Sequence, residues 1–376
     1  MNLKHVVLGW FSGLAVVLAL VGMSGCGLPA RSFILLTPDH NDVHRMPALP
    51  LKASTEPYQF KTANNDLGRR IKLNVWAPLV PVTRNLDQVL EWYPNQAFII
   101  IRNDTILYEN YREDNVAAQF PSYSVAKSFT SALVGFALQD GLIGSIDDPV
   151  SKYLPAICAD ARYEKVTLQH LLNHTSGMEH SLTIDGLLYY GHNIKKGFRH
   201  IKFVHEPGTN QAYMNINILL LGLVLEQVTK APLSEYMQQK IWEPLGMEYD
   251  AQWSTDKNNH IKPYCCLQST ARDYAKFGKF YMQKGEWQGE QLLNRDWVEQ
   301  SISRDTTNGG TFGYHNCWYI GYNTYNDFIA IGLYRQHLYV YPDKKIVIVA
   351  LNRKPKGKEE KKFNFEDFLH QIVDQL

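Results

Sequence analysis

The sequence predicts an α/β fold in which one antiparallel sheet carries helices on its faces and a helical lobe is inserted between its early and late strands. Three observations carry that expectation. The apolar runs Ala97–Ile101 and Ile106–Tyr108 flank Asn103-Asp104, a hairpin signal early in the chain. A second hairpin signal comes late, where Gln336–Tyr341 turns at Pro342-Asp343-Lys344-Lys345 and returns as Ile346–Leu351. Between them, apolar spacing of three and four marks helices over Ser124–Gln139, Leu168–Asn173, Ile216–Val228, Leu233–Trp242 and Ala271–Met282.

The elements outside that frame follow in order. Residues 1–25 read as an export leader: Lys4 and His5 precede the apolar run Val6–Val21, and the run ends in Met23-Ser24-Gly25-Cys26. That ending resembles the lipobox of bacterial lipoproteins, which implies cleavage before Cys26, lipidation of its thiol and attachment to a periplasm-facing membrane surface. An uncleaved membrane anchor is the alternative, because sixteen residues fall just below a bilayer span. Residues 26–75 contain Pro29, Pro38, Pro47, Pro50 and Pro57 without a sustained period and read as a tether. The globular domain is expected over 76–376, with its helical lobe over roughly 141–290. Lys354–Lys362 reads as a solvated basic run, and Phe363–Leu376 as a last helix packed on the sheet.

Composition narrows the function. Of 376 residues, 45% are apolar, enough for a packed core. Thirty-eight Lys and Arg against 37 Asp and Glu leave a net charge of +1, so no general field gathers phosphate backbones, and nucleic acid is not an expected partner. Five Cys in so long a chain make no disulfide scaffold. Cys265 and Cys266 are neighbours that cannot easily share one partner, and Cys158 and Cys317 are candidate mates.

The first chemistry lies in Pro121-Ser122-Tyr123-Ser124-Val125-Ala126-Lys127, at a helix start. Residues three apart share a helical face, so the Ser124 hydroxyl can meet the Lys127 amine. A lysine can deprotonate a serine only if burial or nearby charge lowers its pKa, and an apolar helix start supplies burial. The same spacing recurs at Ser254 and Lys257, but there the polar surroundings would leave the amine solvated and charged. Tyr-x-Asn occurs four times; only Tyr213-Met214-Asn215 follows a turn, Glu206-Pro207-Gly208-Thr209, and opens an apolar helix. At such a join a phenol can pass a proton to a leaving group while a carboxamide holds a substrate carbonyl or the lysine amine.

Four segments in this order, Phe120–Thr130, Leu171-Leu172-Asn173-His174-Thr175-Ser176-Gly177-Met178, Tyr213 with Asn215, and Ala271-Arg272-Asp273-Tyr274-Ala275-Lys276-Phe277-Gly278, resemble the class C β-lactamase-related serine hydrolases. The resemblance spans about residues 75–352 and implies a β-lactamase/transpeptidase-like sandwich. It implies Ser124 as the acylated nucleophile, Lys127 and Tyr213 as the proton-transfer pair, and no metal or organic cofactor. The oxyanion hole would join the Ser124 N–H to one on a late strand. There Gly332 would admit the backbone, and the N–H of Leu333 or a neighbour would complete the hole.

Two departures bear on substrate. The Lys-Thr-Gly or His-Thr-Gly of penicillin-handling members is absent; Ala330-Ile331-Gly332-Leu333-Tyr334-Arg335-Gln336 stands there, similar to the 6-aminohexanoate-dimer hydrolase branch but with Arg335 where Gly is usual. Arg335 either binds a substrate carboxylate or points outward from the strand end. The expected substrate is a small amide or ester; a D-alanyl peptide or β-lactam, and a non-catalytic lipoprotein that binds peptidoglycan fragments or a partner protein, are the alternatives. His174-Thr175-Ser176-Gly177 reads as a structural turn. His170 and His174 have zinc-protease spacing without the catalytic Glu, so no metal is expected. Tyr189, Tyr190, Trp242, Trp253 and Trp318 line either the pocket or the core.

Overall fold

The computed structural model describes residues 38–39, 42, 45–77, 80–112, 115–311, 313–321, 325–355 and 363–376. The expected leader and Cys26 lie outside them, as do residues 356–362 of the basic run.

The two hairpins read from the sequence meet in the middle of the main sheet. Its strand order is Tyr314–His315, Trp318–Ile320, Phe328–Gly332, Gln336–Tyr341, Ile346–Asn352, Asn95–Arg102, Thr105–Tyr111 and Lys61–Thr62. Neighbours are antiparallel apart from the short last strand, which is parallel to Thr105–Tyr111. At the closure Val349 faces Ile99 and Ile348 faces Ile100. The early turn works because Asn103 (φ 48°) and Asp104 (φ 62°) take the left-handed conformation that short polar side chains tolerate.

Both central strands are apolar in their middles, over Ala97–Ile101 and Ile346–Leu351, and the pleat sends alternate residues to opposite faces. Ile99, Ile101, Val347 and Val349 enter one core with Phe129 and Phe277 of the helices Ala126–Gln139 and Ala271–Met282. Phe98, Ile100, Ile346 and Ile348 enter a second core with Leu73, Val89, Phe368 and Leu369, the last two from the C-terminal helix Phe365–Asp374. The sheet is thus the middle layer of a sandwich.

The helix Ala271–Met282 lies directly on the sheet, because Gly278 leaves room there: a Cβ at this position would sit 2.7 Å from Leu338 Cδ1 and 3.0 Å from Val347 Cγ1. It belongs to the sheet layer, although the sequence reading placed it within the lobe. The lobe is organised around the helix Asn215–Thr229, buried from Ile216 to Leu225 and packed on Ala126–Gln139, Leu168–Leu172 and Leu182–Tyr190.

The domain begins before residue 76. Ala48–Leu51 pairs antiparallel with Ala251–Ser254, at the edge of a second sheet that continues through Leu267–Ser269 to Phe120–Pro121. Pro50 signals a tether in the sequence, yet an edge strand tolerates a residue that donates no hydrogen bond. Leu51 and Phe60 reach the first core. The cysteine pairing, which the sequence leaves open, is fixed here. Cys265 and Cys266 are bonded to each other, and Cys158 and Cys317 are buried free thiols.

Candidate active site

The strand Phe120–Pro121 ends in a single tight turn, Tyr123–Val125, before the helix Ala126–Gln139 begins. Tyr123 has φ 43°, a conformation that an aromatic residue holds only when its surroundings impose it. They do: Ser122 N–H donates to the Leu267 carbonyl at 2.7 Å, and the Tyr274 hydroxyl donates to the carbonyls of Phe120 at 2.9 Å and Leu267 at 3.0 Å. The turn places Ser124 at the positive end of the helix, on the face that also carries Lys127.

Lys127 is 1% exposed. Its Nζ lies 2.8 Å from Ser124 Oγ, and it donates to Asn215 Oδ1 and to the Tyr264 carbonyl, both at 2.9 Å. Burial lowers its pKa to about 7, against the smaller opposing influences of Cys317 and Asp185. This geometry suits a base. A neutral amine has two hydrogens and one lone pair; the two carbonyl oxygens take the hydrogens, and the lone pair is left for the Ser124 hydroxyl.

Asn215 is fixed from its other side, where Nδ2 donates to Asp185 Oδ1 at 3.0 Å. That contact orients the carboxamide, so the oxygen faces Lys127. Asp185 in turn meets His180 at 3.1 Å.

Tyr213 lies over the same amine, its ring centroid 4.8 Å from Lys127 Nζ. The residue is 40% exposed, but protein packed around its hydroxyl pushes the phenol pKa up, and a hydrogen bond with Ser124 only partly offsets this. Beneath Tyr213 sits His174, fully buried, its ring centroid 4.5 Å away. The Met214 N–H donates to His174 Nδ1 at 3.3 Å, and Ala212 N–H donates to the His174 carbonyl at 2.8 Å. A backbone N–H can only donate, so Nδ1 is the unprotonated nitrogen. Burial and the nearby Lys127 hold the His174 pKa well below its usual value. His174 therefore supports the segment on both sides of Tyr213 as a neutral ring, in keeping with the structural reading of its motif.

The end of the strand Phe328–Gly332 presses on the nucleophile turn. A Cβ on Gly332 would lie 2.4 Å from the Ser122 carbonyl oxygen and 3.2 Å from Ser124 N, so only glycine fits. Leu333 follows, 44% exposed at the edge of the site. Arg335 leaves in another direction: its Nη1 donates to the Phe363 carbonyl and approaches the Tyr93 hydroxyl at 3.5 Å, which is the outward alternative.

The structure thus gathers Ser124, Lys127, Tyr213, Asn215 and Gly332, with Leu333 beside them. Asp185 and the Tyr264 carbonyl were missed. Asp185 is one acid in a mixed helix, and a main-chain oxygen has no residue type to betray it. Trp242, Trp253 and Trp318 are core residues, fully buried. His170 closes a capping box with Thr167, and no group of three or more His, Cys, Asp or Glu suited to a metal occurs among the described residues.

Comparison with known proteins bears on the family and the fold. The β-lactamase family profile matches residues 82–370. The 6-aminohexanoate-dimer hydrolase of Paenarthrobacter ureafaciens is 24% identical over 316 residues, 76% of this chain and 78% of that one. A β-lactamase of Pseudomonas fluorescens is 29% identical over 164 residues, 40% of this chain and 43% of its own length. Among solved structures, a candidate 6-aminohexanoate-dimer hydrolase from Bacillus anthracis superposes with a TM-score of 0.78 at 23% identity, covering 88% of this chain and 90% of that one. A class C β-lactamase does so at 0.59 and 15% identity, covering 77% and 94%. These two likenesses show the β-lactamase/transpeptidase-like fold. With the family profile spanning most of the chain, the protein is a serine hydrolase belonging to the β-lactamase family.

Proposed function

We propose that the chain hydrolyses a small amide or ester through an acyl-enzyme on Ser124. The observation that carries this reading is the buried Lys127 amine, 2.8 Å from Ser124 Oγ and with two carbonyl oxygens taking its hydrogens. As the Ser124 oxygen bonds to the substrate carbonyl carbon, the Lys127 lone pair takes its proton, and the carbonyl electrons move onto oxygen. The N–H groups of Ser124 and Leu333 would receive that oxyanion, a contribution of about 3 kcal/mol per donor. When the tetrahedral adduct collapses, Tyr213 gives its proton to the departing nitrogen or oxygen and regains one from the Lys127 ammonium. A phenol with a raised pKa is suited to that role, since it stays protonated until the leaving group draws the proton away. Deacylation reverses the route: water passes a proton through Tyr213 to Lys127, and Ser124 departs with it.

The outward course of Arg335 favours an uncharged substrate over a β-lactam or D-alanyl peptide, both of which carry a carboxylate. The joint placement of Ser124, Lys127, Tyr213 and Asn215 favours catalysis over a purely binding lipoprotein. Residues 1–25 and Cys26 support a lipid-anchored, periplasm-facing protein by sequence pattern alone. An intact-mass measurement on membrane-extracted protein should show a chain starting at an acylated Cys26; a chain starting at Met1 would exclude cleavage.

Ser124→Ala should abolish hydrolysis of a p-nitrophenyl ester and of a simple amide while leaving the circular dichroism spectrum intact. A fluorophosphonate should add mass to wild type at Ser124 and to this variant nowhere; undiminished turnover by the variant would refute the mechanism. The pH profile supplies an independent check. Lys127 must be uncharged to act, so kcat/KM should fall about tenfold per unit below pH 7 and level off above it, the limb lying near the lowered Lys127 pKa of about 7. A limb near pH 10 would mean a solvated amine. Gly332→Ala places a methyl 2.4 Å from the Ser122 oxygen and should lower kcat/KM by roughly 100-fold through displacement of the nucleophile turn. Steady-state kinetics at wild-type level would show that the strand end is not held where it appears.

A further inference from the structure

Two cysteines stand immediately after the carbonyl that receives Lys127. The Tyr264 oxygen accepts from Lys127 Nζ at 2.9 Å, and the next two residues, Cys265 and Cys266, are joined to each other. The linkage closes a small ring onto the backbone, which removes rotational freedom from the residues on either side. Both cysteines are buried, and Cys266 holds φ 69°, a left-handed conformation uncommon outside glycine.

Every carbonyl from Pro263 to Leu267 accepts a hydrogen bond. Cys265 N–H donates to the Lys262 carbonyl at 3.1 Å, and the Cys265 carbonyl accepts from Trp253 Nε1 at 2.8 Å. The Cys266 carbonyl accepts from Ser254 N–H at 3.1 Å. Pro263, one residue before Tyr264, accepts from Thr130 Oγ1 at 2.8 Å, on the same helix as Lys127. Leu267, one residue after Cys266, accepts from Ser122 N–H at 2.7 Å, two residues before Ser124. The disulfide therefore lies between two points at which one loop grips the catalytic centre. One fixes the base and the other fixes the turn of the nucleophile.

We propose that the Cys265–Cys266 disulfide is a positioning element of the catalytic centre, holding the Tyr264 carbonyl against the Lys127 amine so that a dithiol reductant slows hydrolysis. The inference rests on the assignment of Ser124 and Lys127 above. Reduction transfers two electrons and two protons from the dithiol; the Sγ–Sγ bond becomes two thiols, and the reductant closes to its own disulfide. Without the ring, the loop gains freedom at Tyr264, and one of the two acceptors that aim the Lys127 lone pair is no longer held.

The test uses the full chain, purified without reductant and then treated with dithiothreitol, alongside the Cys265→Ser/Cys266→Ser double variant. Alkylation with iodoacetamide and peptide mass analysis report whether the 265–266 peptide gains two thiols. The expected result in both the reduced protein and the double variant is a loss of about tenfold or more in kcat/KM for an ester, with the melting transition still cooperative. The pH limb should also move, because the groups facing Lys127 (Tyr213, Asp185, Cys317 and His174) stay in place while its carbonyl acceptor does not. A loss of packing alone would lower the amount of active protein, as counted by fluorophosphonate titration, without moving the limb. Full kcat/KM with an unmoved limb in either sample would overturn the inference, and so would free thiols at both positions in the untreated protein. Ser124→Ala assayed in parallel separates the two ideas. If it is inactive while the reduced enzyme is unimpaired, only the disulfide's role fails; if it retains activity, the nucleophile assignment fails.

Discussion

One buried amine organises the molecule. Removing a lysine from water is unfavourable for its charged form by several kcal/mol, unless the cation is paired or the proton is given up. Among the described residues no carboxylate pairs with Lys127, so burial is relieved by a pKa of about 7 and by polar but uncharged neighbours. Those neighbours come from separate parts of the chain: Ser124 from the turn before the nucleophile helix, Asn215 from the first residue of the lobe helix, and Tyr264 from the loop leading back to the sheet layer. The amine stands where the lobe and the sheet layer join. A shift between these parts would cost it a hydrogen-bond partner.

The rest of that junction is built from groups that tolerate little displacement. Tyr274 spans the carbonyls of Phe120 and Leu267, while Gly332 allows a strand of the main sheet to touch the turn from the opposite side. Close by, the buried Lys276 amine contacts Asp273 at 3.0 Å and Glu248 at 3.1 Å and donates to the Gly246 carbonyl at 2.8 Å. Such buried ion pairs add little net stability, because desolvation consumes most of the attraction, but they penalise any arrangement that separates them. The segment Ala271–Gly278 is thus an anchor for the site, although none of its side chains reaches Ser124: Asp273 and Lys276 fix it to the lobe, Tyr274 to the nucleophile strand, and Gly278 to the sheet.

Features written in local patterns were legible in the sequence. The hairpins at Asn103-Asp104 and Pro342–Lys345 and the helix Ala271–Met282 follow from turn chemistry and apolar spacing, and the structure has them at those positions. Ser124, Lys127, Tyr213 and Asn215 were found because each carries a reactive side chain at a helix start. What escaped depends on partners distant in sequence. Ala48–Leu51 looks like a tether until Ala251–Ser254 is beside it. Asp185 gains meaning only through Asn215, thirty residues away. The connectivity of the cysteines cannot be read from their spacing, which leaves the Cys265–Cys266 bond out of sight, and the Tyr264 oxygen is a backbone atom with no signature.

Asp185 shows how narrowly the charge around the base is set. Its carboxylate is one hydrogen bond from Asn215, and Asn215 is one hydrogen bond from Lys127. Direct contact between the acid and the amine would form an ion pair, hold Lys127 protonated and leave no lone pair for Ser124. With the carboxamide between them, the acid fixes orientation while its field reaches the amine only weakly, as one of the smaller influences opposing burial. A second cation in contact would err in the other direction, depressing the amine further until it was too weak a base. His174 avoids this by staying neutral. Among the described residues, the site reaches a workable basicity by surrounding the amine with uncharged contacts, and that requirement accounts for a carboxamide standing at position 215 where a carboxylate of nearly the same shape would fit.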